Sequence, residues 1–275
     1  MTSIEQYTAS LFGLRGKAAL VTGGATGLGY MITHALVAAG ARVYIASRKL
    51  KSCREAAARL DGLAGEVIPF GADLSVEEGV LSLSNFIAES ETGLDILVNN
   101  SGRSWGADYE HFPWQAWSDV MTLNVTAPFT LTRALTPLLA AAASPGKPSR
   151  VINIGSIMGL VPHGYPAYSY SASKAALHHL TRILSNELAP RHIAVNAIAP
   201  GPFPSRMTAF FTDSEKRTNA VARAVPLGRL GEANDVAGLI LCLCGTGGAY
   251  ITGAIIPLDG GMNSARTPGL EQGME

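Results

Sequence analysis

Short apolar runs alternate along the chain with longer stretches rich in alanine and leucine. The runs are Ala18-Ala19-Leu20-Val21, Arg42-Val43-Tyr44-Ile45, Val67-Ile68-Pro69-Phe70, Asp95-Ile96-Leu97-Val98, Arg150-Val151-Ile152-Asn153-Ile154, Ile193-Ala194-Val195-Asn196 and Ala254-Ile255-Ile256-Pro257-Leu258. They are near-continuously apolar rather than alternating, so each reads as a strand buried on both faces. The spacers between them are long enough for crossover helices. The pattern predicts an α/β protein with a doubly wound, seven-stranded parallel sheet and helices on both faces. No linker rich in Pro, Gly or Ser divides residues 1–275, which predicts a single domain. Leu160 to Ala167 and Pro202 to Leu230 break the rhythm, and Asn263 to Glu275 reads as a tail. Loops after strand ends line the ligand crevice of an open α/β sheet. The segment 202–230 carries Phe203, Met207, Phe210 and Phe211 beside Asp213-Ser214-Glu215-Lys216-Arg217, which suits a substrate lid with an apolar inner face and a charged outer one.

Composition narrows the partners. Hydrophobic residues make up 47% and charged residues 15%, with 21 positive and 21 negative side chains. That balance gives no footprint for nucleic acid. Three scattered cysteines argue against a disulfide framework and for a reducing compartment, hence a cytoplasmic location. Cys242 and Cys244 lie in the apolar helical run Val236 to Cys244 and read as small buried residues, not metal ligands. Met1 to Lys17 has no apolar signal core, and no apolar stretch reaches the ~18 residues of a membrane span.

The first strand runs into Thr22-Gly23-Gly24-Ala25-Thr26-Gly27-Leu28-Gly29. A helix starting at Gly27 would point its free N–H groups and its dipole at a pyrophosphate. The spacing Gly23, Gly27, Gly29 departs from Gly-x-Gly-x-x-Gly, and taken alone it serves equally as a tight turn. Its place directly after the first strand decides for a phosphate cradle. At the end of the second strand a NAD site would carry an acid against the ribose 2′-hydroxyl. The chain has Ala46-Ser47-Arg48-Lys49 there, with no carboxylate to repel a 2′-phosphate and with the planar fork of Arg48 to hold one. The competing reading is a solvated arginine at a helix start, which leaves the missing acid unexplained. NADP is favoured over NAD.

Tyr170 and Lys174 share a helix face four residues apart, fourteen residues after Ser156. Acid–base work at neutral pH asks the tyrosine to titrate about three units below its usual ~10, or about 4 kcal/mol of preference for the phenolate. The spacing predicts that the Lys174 ammonium lies beside the hydroxyl and supplies it. Pro128, four residues after Asn124, has no N–H, so in a helix the Asn124 carbonyl loses its usual partner and can bind a water.

Together these residues resemble the short-chain dehydrogenase/reductase family from about Leu14 to Gly261, which implies a Rossmann-type fold. Thr22 to Gly29 resembles its cofactor loop, with Gly23, Thr26, Gly27, Leu28 and Gly29 on the phosphates, and Asp73-Leu74 its adenine-pocket pair. Asn99-Asn100-Ser101-Gly102 is similar to its Asn-Asn-Ala-Gly segment, Ser101 replacing alanine. Asn124, Ser156, Tyr170 and Lys174 fall on its catalytic tetrad. Pro200-Gly201 matches the segment that packs on the nicotinamide. Ser205 stands where a threonine usually binds the carboxamide, and Leu258-Asp259-Gly260-Gly261 resembles the closing strand and turn. Ser104-Trp105-Gly106, Val151 to Ser156, Pro204 to Thr208 and Gly247 to Tyr250 are similar to an NADPH-dependent 3-oxoacyl reductase subgroup.

The resemblance implies an NADP(H)-dependent carbonyl reductase turning a ketone or 3-oxoacyl thioester into a secondary alcohol. Tyr170 would protonate the oxygen, Ser156 would donate a second hydrogen bond, and Lys174 would also hold the nicotinamide ribose. A water on Asn124 would link Lys174 to solvent. Trp105, Met158, Leu160, Val161, Phe203, Met207, Phe210 and Phe211 are candidates for an apolar substrate pocket. The family also implies a homotetramer, or at least a dimer, built by the helices of Asn124 and Tyr170 and the strand near Leu258. An NAD(P)-dependent secondary-alcohol dehydrogenase and a catalytically silent nucleotide sensor are the alternatives. The intact tetrad argues against the sensor. No metal is expected: His178 and His179 point about 100° apart on a helix and read as packing or a subunit face. His163 reads as an exposed loop residue, and Trp114 and Trp117 as core or interface.

Overall fold

Successive residues of the first apolar run enter opposite sides of one sheet. In strand β1 (Ala18–Thr22), Ala18 and Leu20 belong to one core and Ala19 and Val21 to the other. A strand covered on both faces needs apolar residues at every position, which is why the run does not alternate. The chain is described here by a computed structural model covering residues 3–162, 164–205 and 213–264. The remaining strands are β2 (Arg42–Ser47), β3 (Glu66–Gly71), β4 (Ile96–Asn99), β5 (Ser149–Ile154), β6 (Ile193–Pro200) and β7 (Ile255–Leu258). All pair in parallel in the order β3-β2-β1-β4-β5-β6-β7. The single doubly wound domain expected from the pattern is the one observed.

The helices are α1 (Ile4–Phe12), α2 (Gly27–Ala38), α3 (Leu50–Arg59), α4 (Glu77–Ser90), α5 (Gln115–Met121), α6 (Ala127–Ala142), α7 (Tyr168–Leu188), α8 (Glu215–Arg223) and α9 (Ala233–Cys244). Ile32 and Leu36 of α2, Cys53 of α3 and Val236, Ile240 and Leu243 of α9 fill one core. Leu83 and Ile87 of α4, Leu131 and Leu135 of α6 and Leu184 and Leu188 of α7 fill the other. Burying each such side chain contributes roughly 1.5–3 kcal/mol. Among the described residues no helix is long and apolar enough to cross a membrane.

Two expectations need correction. Edge strands β3 and β7 are only half-buried, because each has a neighbour on one side alone. Their Pro69 and Pro257 fit that position, since a missing N–H on an outer edge leaves no ladder bond unmade. The polar N-terminal segment, read only as lacking a signal core, forms α1. Ser3 caps it by taking the Gln6 N–H at 3.2 Å while the Gln6 side chain takes the Ser3 N–H at 3.2 Å.

A buried polar chain crosses the second core. Asn99 Nδ2 donates to Thr132 Oγ1 at 3.2 Å and to Asn153 Oδ1 at 2.9 Å, and Asn153 Nδ2 donates to Thr181 Oγ1 at 2.9 Å. It ties α6 and α7 to the central strands β4 and β5. Replacing Asn153 with valine is expected to leave Asn99 and Thr181 short of partners and to cost about 1–3 kcal/mol. Urea unfolding of Asn153→Val measures it as a lowered midpoint at unchanged slope.

Candidate active site

The strand order reverses between β1 and β4, and the crevice expected there opens at the C-terminal ends of the strands. A cavity of about 490 Å³ occupies it. Every residue assigned to the cofactor from the sequence lines this cavity: Gly23 after β1, Ser47 and Arg48 after β2, Asp73 after β3, Asn100 after β4 and Gly201 after β6 are the markers of successive strand ends. Ser156, Tyr170 and Lys174 line it too, as does Phe203. Trp105 and Met158 do not, and Asn124 reaches the site only through its neighbours. Met207, Phe210 and Phe211 lie outside the described residues, as does His163. Ala72, Leu123, Ile154 and Gly155 also line the cavity, and the sequence assigned none of them to it.

The glycine loop is shaped by close contacts. Gly23 has φ 67° and Gly27 has φ 54°, the left-handed region that favours glycine. A Cβ on Gly29 would overlap the Gly23 carbonyl. Thr26 at the N-cap of α2 makes no side-chain capping bond, so the first-turn N–H groups of a helix whose start lines the cavity stay available to an anion. Thr22 Oγ1 accepts the N–H groups of Asn100 at 2.9 Å and Ser101 at 3.0 Å, and Asn100 Nδ2 returns a bond to the Thr22 carbonyl at 2.9 Å. These bonds lock the loop to the Asn99 to Gly102 segment. Gly201 packs on the closing turn, its N–H on the Leu258 carbonyl at 2.9 Å and no room for a Cβ beside Asp259.

Donor chemistry and space both suit a dinucleotide. Arg48 is exposed and makes no ion pair with a described residue. Asp73 is held below the usual carboxylate range first by the Ser75 hydroxyl, which donates to it at 2.7 Å, with Arg48 and Arg103 adding smaller favourable charge. A bound nicotinamide dinucleotide would place its pyrophosphate on the α2 start and its nicotinamide near Gly201 and Ser156.

At the other end of the cavity α7 lies against the end of β5. Lys174 is buried, and its Nζ donates to the Ile154 carbonyl at 2.7 Å while standing 5.6 Å from the Tyr170 ring centre. Tyr170 is half-buried and hydrogen-bonded to Ser156. Asn124 sits fully buried where α5 passes into α6 through a π-helical turn, Thr122–Thr126, closed by the Ala127 N–H on the Thr122 carbonyl. The turn opens just where Pro128 removes a helical donor. The Asn124 side chain takes the Arg103 N–H at 2.9 Å and donates to the Arg103 carbonyl at 3.0 Å and to Ser173 Oγ at 2.9 Å. Arg103 and Ser173 went unnoticed in the sequence because their contribution is made by packing.

The sign of the tyrosine shift is opposite to the spacing-based expectation. Burial raises the Tyr170 phenol above its ordinary value, and the Ser156 hydrogen bond offsets only part of that. The Lys174 ammonium is itself brought down to about 8 by burial, and it is aimed at a carbonyl. His178 is buried, as the packing reading had it, and is brought down to about 4 by burial first and by the Lys174 charge next. His179 is exposed. Trp114 is 87% exposed, so the core half of its expectation fails, and half-exposed Trp117 stacks edge-on against Phe112.

A phosphate-ready helix start, a strand-end crevice and a buried lysine beside paired hydroxyls define a dinucleotide-dependent oxidoreductase class. A family model described as enoyl-(acyl carrier protein) reductase matches residues 23–263, and the chain belongs to the short-chain dehydrogenase/reductase family. It is 48% identical over 252 residues to the rhamnolipids biosynthesis 3-oxoacyl-(acyl-carrier-protein) reductase of Pseudomonas aeruginosa, over 92% of this chain and 98% of that one. It is 35% identical over 253 residues to a tropinone reductase homolog of Arabidopsis thaliana, covering 92% of each. The solved Pseudomonas aeruginosa RhlG/NADP active-site complex superposes with a TM-score of 0.88 at 47% identity, over 92% of this chain and 99% of that one.

Neutral burial of His178 has a pH signature. Unfolded, the ring takes a proton near pH 6.5; folded, only near 4. The unfolded state therefore binds more protons between those values, and stability present above about pH 6.5 is lost on acidification through the window, by about 3 kcal/mol from this group. Urea unfolding across that range is expected to show a shallower pH slope for His178→Gln than for the wild type.

Proposed function

We propose that the protein is an NADPH-dependent carbonyl reductase that converts an apolar ketone or 3-oxoacyl thioester into a secondary alcohol. The observation that carries this reading is the pairing of the Tyr170 and Ser156 hydroxyls at the cavity, with the phenol held above its ordinary value. A nicotinamide cofactor supplies hydride to the carbonyl carbon. The oxygen then becomes basic, and a phenol kept in its protonated form is the partner such an oxygen needs. Ser156 gives that oxygen a second hydrogen bond as charge grows. Lys174 holds the ribose and feeds the proton path, with the Asn124 carbonyl offering a water between Lys174 and solvent. Oxidation of an alcohol would use the phenolate of the same Tyr170, and the concentrations of the reactants set which direction runs.

NADP(H) is the proposed cofactor. The Pseudomonas complex holding NADP supports it, and so does Arg48, exposed at the end of β2 without an ion pair among the described residues. The apolar character of the substrate is supported by Phe203 in the cavity wall. Trp105, Met158, Met207 and Phe210 are proposed for the substrate pocket on the sequence alone. The segment 202–230 is assigned as its lid, and residues 263–275 as a tail that lies, beyond Ser264, outside the described residues. Assembly as a homotetramer or dimer is supported by exposed Trp114 beside α5, Phe129 on α6 and Ile183 on α7. Three free cysteines support a cytoplasmic setting.

Following NADPH absorbance with ketones, 3-oxoacyl thioesters and an enoyl thioester tests the reaction. Ketone and 3-oxoacyl turnover is expected, with kcat/KM rising with chain length by up to ~0.8 kcal/mol per buried methylene. Tyr170→Phe is expected to fall below about a tenth of the wild-type rate with NADPH binding retained. Exclusive turnover of the enoyl thioester, or a Tyr170→Phe enzyme near full rate, would overturn the assignment.

The cofactor reading has its own check. Arg48→Ala is expected to weaken NADPH by about 1.5–3 kcal/mol while leaving NADH nearly unchanged. Ser47→Asp is expected to reverse the preference. Titrating both cofactors by fluorescence decides it, and a wild type that prefers NADH refutes the role of Arg48.

A further inference from the structure

We propose that His178 is a positioning residue for Ser156: its Nε2 accepts the Ser156 backbone N–H and sets where the serine hydroxyl points in the cavity. This rests on the reading of Ser156 as a donor to the reacting oxygen. The hydrogen-bond ladder of the sheet ends one residue earlier, where the Gly155 N–H meets the Ile198 carbonyl at 2.7 Å. The next N–H, that of Ser156, is buried and beyond the reach of the sheet, and His178 Nε2 takes it at 3.4 Å. On the same helix His178 lies one turn past Lys174 and two past Tyr170, so one buried face of α7 presents all three to the end of β5.

The serine segment is pressed onto that face at two points. A Cβ on Gly155 would overlap the His178 ring at Nε2, and a Cβ on Gly159 would stand 2.6 Å from the Lys174 backbone. Ser156 is thus bracketed by two glycines that let the chain touch α7, one of them against the histidine. Its own Oγ accepts the Met158 N–H at 3.2 Å, which spends an oxygen lone pair on the local turn and leaves the O–H to donate toward Tyr170. With the N–H held by His178 and the Oγ held by Met158, the serine has both of its polar ends placed.

The imidazole suits the task because it is neutral. Nε2 accepts, so the ring proton sits on Nδ1, which has no hydrogen-bond partner of ordinary length among the described residues. Burial first, then the charges of Lys174 and Arg182 on α7, oppose a charge on the ring, and the Gly159 backbone pulls the other way. A protonated ring would turn the acceptor into a second donor and push the Ser156 N–H away.

Steady-state kinetics with NADPH and the best ketone, on His178→Leu and His178→Gln alone and combined with Ser156→Ala, test the proposal. His178→Leu is expected to lower kcat about tenfold, with the KM for NADPH unmoved. Glutamine reaches the Nε2 position with an acceptor oxygen and is expected to bring kcat back to within about threefold of wild type. In the Ser156→Ala background, His178→Leu is expected to change kcat by less than about twofold, because the group it positions is gone. If leucine prevents folding, His178→Asn, polar but too short to reach, takes its place with the same expectation. A His178 loss that adds in full to that of Ser156→Ala, or a glutamine variant as slow as leucine, overturns the proposal alone. A Ser156→Ala enzyme at full kcat overturns the reading beneath it.

Discussion

A lysine ammonium held out of water is the constraint around which this site is organised. Lys174 is 4% exposed, and no carboxylate pairs with it among the described residues; the Ile154 carbonyl takes its charge at 2.7 Å. A charge buried on those terms is costly unless the surrounding dipoles are fixed. Fixing them requires that α7 touch the end of β5, and the glycines at 155 and 159 permit that touch. Burial keeps His178 neutral and the same charge adds to it, so the acceptor on the Ser156 N–H is preserved.

The rest of the fold serves this contact from behind. The chain of Asn99, Asn153 and Thr181 crosses the second core and holds α7 in register with β4 and β5. On the cofactor side, Thr22 and Asn100 bind the ends of β1 and β4 to each other across the switch in strand order. Both are buried polar networks whose members satisfy one another, which is the condition under which polar groups make a core more specific. The cavity inherits its shape from them, since its walls are the residues that follow six strand ends.

Relatives named for a 3-oxoacyl thioester and for tropinone share this frame across nine-tenths of the chain. A common frame under differing names leaves substrate choice to the loops around it. The family model and the Pseudomonas relative carry names for reduction of a C=C and a C=O bond respectively.

All seven strands, the single domain and the start of α2 at Gly27 were legible along the chain, because burial on both faces and a helix N-terminus leave local marks. So was the membership of the cavity: residues at strand ends converge whatever the helices do, and each assigned cofactor residue lines it. Tyr170 and Lys174 share a face by spacing alone. The direction of the Lys174 ammonium, the upward shift of the phenol and the bond from Ser156 to His178 had no such mark. They depend on desolvation and on partners brought from distant segments, as with the Ile154 carbonyl, Arg103 and the glycine at 155. Spacing sets which residues meet a common surface. The packing of β5 against α7 decides what each finds there, because a charge or an N–H taken from water answers to whatever dipole lies nearest.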